Sequence, residues 1–359
     1  MNRIIIALVG VAGLLLTSCL KEEALQLPFR TIKPIESGDG LQISTPENEG
    51  FDTLMLKEVY MTLSDEDQYP NIRSLLVMRN NKLVSEAYFK DPVDKDRLHA
   101  VMSVTKSFTS LAAGLAFEKG YLGSLDDKAY DYIPEYFDDD SVKRSITLRH
   151  ILTMETGIDY DDEVHTAEMI YCDGSSLSYV LSRPQVFLPG EDWYYGDGNP
   201  QLLSGIIRAA SGKNLEDLIM TYLFEPMGIS NYFWEQHSDG LNLGGMGLWF
   251  RPRDMLKIGQ LMINDGKWKG EQLIQSDWLH ASTVQQAINR DYGFYWLTSN
   301  NTIYWASGRG GQLICIYPAE QLVVVVTSDS YAQSWALSKG SYDYIFQAVY
   351  DAIIHELNE

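Results

Sequence analysis

Ser103-Val104-Thr105-Lys106-Ser107-Phe108-Thr109-Ser110-Leu111 is the stretch whose reading decides the fold of this chain. Phe108, Leu111 and Leu115 step by three and four, which predicts a helix with one buried face, opening at Ser103. Ser103 and Lys106 are three apart and so project from one side of that helix. A serine hydroxyl is a weak nucleophile until a neighbouring base takes its proton. A lysine amine can be that base if burial or a nearby cation lowers its pKa. The helix start adds a positive dipole end that favours the anion formed. The competing reading is an N-capping serine with an exposed lysine one turn later. Four residues alone do not separate the two.

Working outward, composition limits the possibilities. The chain has 359 residues, 45% hydrophobic and 21% charged, with a formal net charge of -21. This suits one large or two intertwined globular domains. So acidic a surface repels nucleic acid and anionic lipid headgroups, and a nucleic-acid partner is excluded. No repeat of fixed period and no long low-complexity tract occurs.

The first residues read as targeting signal. Arg3 supplies the positive start, and Ile4 to Leu16 an apolar stretch too short for a good membrane span. Leu16-Thr17-Ser18-Cys19 follows, and it resembles the bacterial lipobox. That resemblance implies a lipoprotein signal peptide over 1–18 and lipidation of Cys19. An ordinary secretory signal that happens to hold a cysteine is the alternative. Leu20-Lys21-Glu22-Glu23 resembles a surface-export signal of Bacteroidetes lipoproteins. The implied location is the cell envelope, at the outer membrane of a Gram-negative bacterium and exposed at its surface. Cys172 and Cys315 are the other cysteines, and Cys315 sits in an apolar strand and reads as core. The six histidines are scattered and no CxxC or HExxH occurs, so no metal is expected.

Residues 19–46 read as a tether and 47–359 as the catalytic domain. Ser74 to Met78 and Leu83 to Tyr88 flank Asn80-Asn81, a hairpin signal. From about 120 to 280 the pattern is helices and loops, an inserted helical lobe. Strands return at Gly293 to Thr298, Thr302 to Ala306, Leu313 to Tyr317 and Leu322 to Thr327. Val323 to Val326 is apolar on both faces, which predicts a central strand covered by helices. A last helix carries Ile345, Val349 and Ile353. Residues of about 47–105 and 285–359 form one sheet lobe, with a cleft between the lobes. The fold class is α+β: an antiparallel sheet flanked by helices, with an all-helical insertion.

Two further motifs join the first. Pro189-Gly190-Glu191-Asp192-Trp193-Tyr194-Tyr195-Gly196-Asp197-Gly198-Asn199 precedes a helical run, and Ala306-Ser307-Gly308-Arg309-Gly310-Gly311-Gln312 opens a strand. Together with Ser-x-x-Lys these resemble the serine β-lactamase and penicillin-binding-protein superfamily, in its class C-like branch. The resemblance covers roughly residues 50 to 355. It implies a β-lactamase/transpeptidase-like fold and no cofactor. It assigns Ser103 as nucleophile, Lys106 as its activating partner and Tyr195 as the motif tyrosine that moves the proton to the leaving group. The neighbour Tyr194 competes, but the spacing from Pro189-Gly190-Glu191 favours Tyr195. A phenol near pKa 10 is a poor base, so an ammonium beside it must stabilise the phenolate. The resemblance puts the backbone N–H groups of Ser103 and Arg309 in the oxyanion hole, with Asp197, Ser307, Gly308 and Gly310 facing substrate.

Two positions depart from the β-lactamase pattern. Asp197 stands where Tyr-x-Asn has asparagine, and it cannot donate an amide N–H. Ala306-Ser307-Gly308 stands for Lys-Thr-Gly, without the cation that holds an antibiotic's carboxylate. Both point toward ester and amide hydrolysis. A D-alanyl carboxypeptidase or other peptidoglycan peptidase, a weak β-lactamase, and an inactive surface binding protein are the alternatives. No Gly-x-Ser-x-Gly elbow supports an α/β-hydrolase. The expected partner is a small-molecule or peptide substrate, with membrane contact only through Cys19. The oligomeric state is not legible. Trp249, Tyr160 and Trp193 are either cleft lining or core aromatics.

Overall fold

The computed structural model describes residues 31–331 and 335–353. The signal segment, Cys19 and the start of the tether lie outside the described residues.

Among the described residues, twelve strands and eleven α-helices follow in chain order. The strands are β1 (Gln42–Ile43), β2 (Ile72–Arg79), β3 (Lys82–Tyr88), β4 (His99–Ala100), β5 (Phe233–Trp234), β6 (Leu248–Phe250), β7 (Lys267–Trp268), β8 (Glu271–Gln272), β9 (Leu297–Ser299), β10 (Ile303–Gly308), β11 (Gln312–Tyr317) and β12 (Leu322–Ser328). The helices are α1 (Thr53–Leu63), α2 (Val104–Glu118), α3 (Ala129–Tyr132), α4 (Leu148–Leu152), α5 (Asp162–Tyr171), α6 (Ser176–Ser182), α7 (Gly198–Ser211), α8 (Leu215–Ile219), α9 (Pro252–Ile263), α10 (Ser276–Thr283) and α11 (Trp335–Asp351).

Strands from both ends of the chain make one seven-stranded sheet, ordered β1-β3-β2-β12-β11-β10-β9. All its pairings are antiparallel except β1 on β3. Asn80 and Asn81 both take the left-handed conformation, at φ 51 and 64, which turns β2 into β3 with the twist a tight hairpin needs. Val323, Val324, Val325 and Val326 are fully buried in β12, the middle strand. Alternate residues feed two cores. Val323 and Val325 face α2 and α9, and Val324 and Val326 face the layer of α1 and α11. Gly259 lets α9 lie close on the sheet, because a Cβ there would sit 2.3 Å from Val323.

Two expectations need correcting. The strand expected over Gly293 to Thr298 is only Leu297–Ser299, because Tyr295 takes φ 62 and the Gly293 N–H bonds the Trp296 carbonyl in a turn. The C-terminal part of the expected tether is packed against the domain. Glu86 N–H bonds the Ile32 carbonyl, β1 pairs with β3, and the Arg253 guanidinium holds Ser37, Asp39 and the Ile35 carbonyl.

Candidate active site

The nucleophile candidate sits where the sheet meets the helical lobe. Met102 takes a left-handed φ of 50, and Ser103 follows as the N-cap of α2. The Ser103 side chain makes no capping hydrogen bond, and Lys106 is 1% exposed. Those two facts remove the reading of a capping serine beside a solvated lysine. Gly308, at the end of β10, lies against the same turn: a Cβ there would sit 2.3 Å from the Val101 carbonyl oxygen. The third motif can approach the first only because position 308 has no side chain.

Lys106 Nζ donates to Ser103 Oγ at 2.9 Å and to the Gly245 carbonyl at 3.1 Å. Its third partner is Asp197 Oδ1, in direct contact. It also lies 4.6 Å from the centre of the Tyr195 ring. Burial by itself would favour the neutral amine, but the charge of Asp197, with smaller contributions from Tyr195 and Asp162, outweighs it and raises Lys106 above the ordinary lysine range. Lys106 is therefore an ammonium. Burial, with the charges of Asp162 and Asp197, raises the Tyr195 phenol above its ordinary range, and the Lys106 charge and a hydrogen bond with Ser103 offset only part of that rise. Tyr195 lines the cleft together with Ser103, Tyr292, Trp305, Ala306 and Ser307.

Asp197 is 5% exposed and faces Lys106 rather than substrate. Its second oxygen accepts from the Thr166 hydroxyl at 2.8 Å, and its backbone N–H donates to Asp162 Oδ1 at 2.7 Å. Asp162 and Thr166 are one turn apart on α5, so this helix clamps the counter-ion of Lys106 from two sides. Burial first, then the negative charge of Asp197, push the Asp162 carboxyl up to about 7, against a lowering by Lys106. Two acids and one cation in so small a space cannot all stay ionised.

Ala306, Ser307 and Gly308 form the end of β10, while Arg309 and Gly310 lie in the turn to β11, with Gly310 at φ 85. The Arg309 side chain is half exposed and pairs with Glu163 of α5 at 3.4 Å. Trp193 packs on Tyr195 and Tyr292, with ring centres 5.9 and 5.6 Å away. Tyr160 packs beneath Gly196 and Gly198 of the second motif, and Trp249 bonds Glu235 at 2.7 Å. Sequence reasoning missed Asp162, Thr166, Tyr292 and Tyr295. The only signal for Asp162 was its place in the acidic run Asp161-Asp162-Glu163, which reads as an ordinary solvated helix start.

The Beta-lactamase family model matches residues 66–336, and the chain belongs to that family of serine hydrolases. It is 23% identical over 289 residues to the 6-aminohexanoate-dimer hydrolase of Paenarthrobacter ureafaciens, covering 71% of this chain and 72% of that one. Among solved structures, a penicillin-binding protein homologue from Caulobacter crescentus superposes with a TM-score of 0.67 at 14% identity, over 83% of this chain and 97% of that one. EstCE1, a hydrolase with promiscuous acyltransferase activity, gives 0.66 at 18% identity, over 83% and 98%. At such identities the structural likeness fixes the fold alone.

Proposed function

We propose that this protein cleaves an ester or amide bond through an acyl-enzyme on Ser103. The observation that carries the reading is the Ser103 hydroxyl held between a buried ammonium, Lys106, and the phenol of Tyr195. An ammonium has no lone pair to accept the Ser103 proton, so the base is Tyr195 and Lys106 is the charge that makes a phenolate tolerable beside it. In its phenolate form, stabilised by the Lys106 charge, Tyr195 takes the Ser103 proton as Oγ attacks the carbonyl carbon, and becomes the neutral phenol. The tetrahedral oxyanion is held by the backbone N–H groups of Ser103 and Arg309, each such donor being worth about 2.7–4 kcal/mol of barrier. Tyr195 then returns the proton to the leaving oxygen or nitrogen. Water repeats the sequence on the acyl-enzyme and frees the acid.

The cleft favours a substrate that has no carboxylate at the site where a β-lactam has one. Ala306 offers no charge, and the Arg309 guanidinium is engaged by Glu163. Ser307, Gly308 and Gly310 supply a wall that substrate approaches closely. The names of the relatives, a 6-aminohexanoate-dimer hydrolase and a hydrolase with promiscuous acyltransferase activity, are in keeping with this class. We place the protein in the cell envelope, anchored through a lipid on Cys19. Radiolabelled palmitate incorporated by the wild type and not by Cys19→Ala tests that placement.

The activity test uses short-chain p-nitrophenyl esters, anilides and a chromogenic cephalosporin, on wild type and Ser103→Ala. Ester or anilide turnover that vanishes in the variant is the expected result. Turnover of the cephalosporin alone would overturn the substrate class. Turnover retained by Ser103→Ala would overturn the nucleophile.

A further inference from the structure

A second set of groups with nucleophile, base and orienter spacing lies at the other end of α5. Cys172 is a free thiol, partly exposed, at the C-cap of the helix. Its Sγ is 3.7 Å from Nε2 of His237, which is 4% exposed. His237 Nδ1 is 3.0 Å from Asp239 Oδ1. Asp239 is itself held firmly: Oδ2 accepts from the Ser176 N–H at 2.8 Å and the Ser176 hydroxyl at 2.7 Å, and Oδ1 from the Leu241 N–H at 3.1 Å. Burial would raise the Asp239 carboxyl, but these bonds keep it below the usual carboxylate range. The Asp239 N–H also faces Nδ1, at 3.2 Å. The carboxylate is closer and charged, so it selects the tautomer with hydrogen on Nδ1 and leaves Nε2 free to accept.

We propose that Cys172, His237 and Asp239 form a second reactive centre, a histidine-activated thiol that exchanges with small disulfides. His237 Nε2 takes the thiol proton and Asp239 steadies the imidazolium. The thiolate attacks one sulfur of the small disulfide, whose S–S bond breaks. The departing thiolate takes the proton back from His237, so one thiol and one disulfide give one mixed disulfide and one thiol. The histidine is needed here. Burial, then the charges of Asp239 and Asp173, push the Cys172 thiol up, and the C-terminal end of a helix offers an anion no help. The Cys172 charge in turn adds to the rise of the Tyr179 hydroxyl, behind burial and Glu168.

This centre is independent of Ser103. Cys172 lies ten positions beyond Asp162, about 15 Å along α5. The other described cysteine, Cys315, is fully buried in β11.

The test is the rate at which the folded full-length protein reacts with the neutral aromatic disulfide dithiodipyridine. Cys172→Ser gives the background from other thiols, and the Cys172-dependent rate is the difference. Near neutral pH, His237→Gln should slow that rate at least tenfold and Asp239→Asn several-fold. Once the pH is high enough to ionise the raised Cys172 thiol directly, the variants and wild type should converge, as hydroxide replaces the imidazole, and a purely structural role would not produce that convergence. The wild-type rate itself should rise less than tenfold per pH unit, because the imidazole and not hydroxide takes the proton. A His237→Gln rate equal to wild type overturns the proposal. So does a wild-type rate that climbs tenfold per pH unit, a result that holds even if the variants do not fold.

Discussion

Two buried ionic clusters, each with one cation between two acids, meet different ends in this molecule. In the first, the Arg253 fork donates to both oxygens of Glu86, at 2.8 and 2.6 Å, to Asp39 at 2.9 Å, to Ser37 and to the Ile35 carbonyl. Every guanidinium nitrogen is engaged, and both acids reach the cation directly. In the second, the Lys106 ammonium has three hydrogens and gives one each to Ser103, Asp197 and Gly245. Asp162 is left with a backbone N–H and a shared hydroxyl, and its carboxyl rises to about 7. A saturated cluster fastens the N-terminal segment to the sheet. An unsaturated one leaves Asp162 holding a proton close to the Ser103 and Lys106 pair.

The sharpest way to break this comparison is to remove each cation. Lys106→Met and Arg253→Met each strand buried carboxylates, and each should cost about 3–5 kcal/mol of stability in denaturant unfolding. Only Lys106→Met should also abolish ester turnover per folded molecule. Comparable loss of turnover in folded Arg253→Met would erase the distinction. Next in size is Tyr195→Phe, which should lower kcat by about 10²–10⁴ while KM and Tm stay near wild type. Turnover within a few-fold of wild type would return the base role to Lys106. Thr166→Val takes one hydrogen bond from the buried Asp197 and should cost about 1.5–3 kcal/mol of stability, with a smaller fall in kcat.

The smallest effect is in pH dependence. The folded Asp162 carboxyl is raised above its unfolded value, so the folded chain binds the extra proton between roughly pH 4 and 7. Its contribution to stability is therefore lost as pH rises toward and through 7. Asp162→Asn keeps the acceptor for the Asp197 N–H without the charge. Its Tm relative to wild type should rise by about 2 °C or more from pH 5 to pH 8. A difference flat across that range would mean that Asp162 carries no trapped proton.

Much of this was legible in the chain because the signals were local. The valines of β12, the Asn80-Asn81 turn and the spacing of Ser103 from Lys106 are each read within a few residues. The meeting of the three motifs was legible by resemblance, since their order along the chain is what the family shares. The charge state of Lys106 was not legible. It depends on Asp197 turning inward, and that depends on Asp162 and Thr166, which lie 35 and 31 residues earlier. The Arg253 cluster was hidden for the same reason: Glu86 and Asp39 are 167 and 214 residues away. The strand near Gly293 was overread because Tyr295 looks like a strand residue, while its left-handed backbone ends the pairing.

The most direct measurement on the central claim is the mass of the intact protein after exposure to a phosphonylating active-site probe, followed by peptide mapping. One adduct is expected, on the peptide carrying Ser103-Val104-Thr105-Lys106, absent from Ser103→Ala. An adduct of equal yield in Ser103→Ala, or one mapped to another residue, would contradict it.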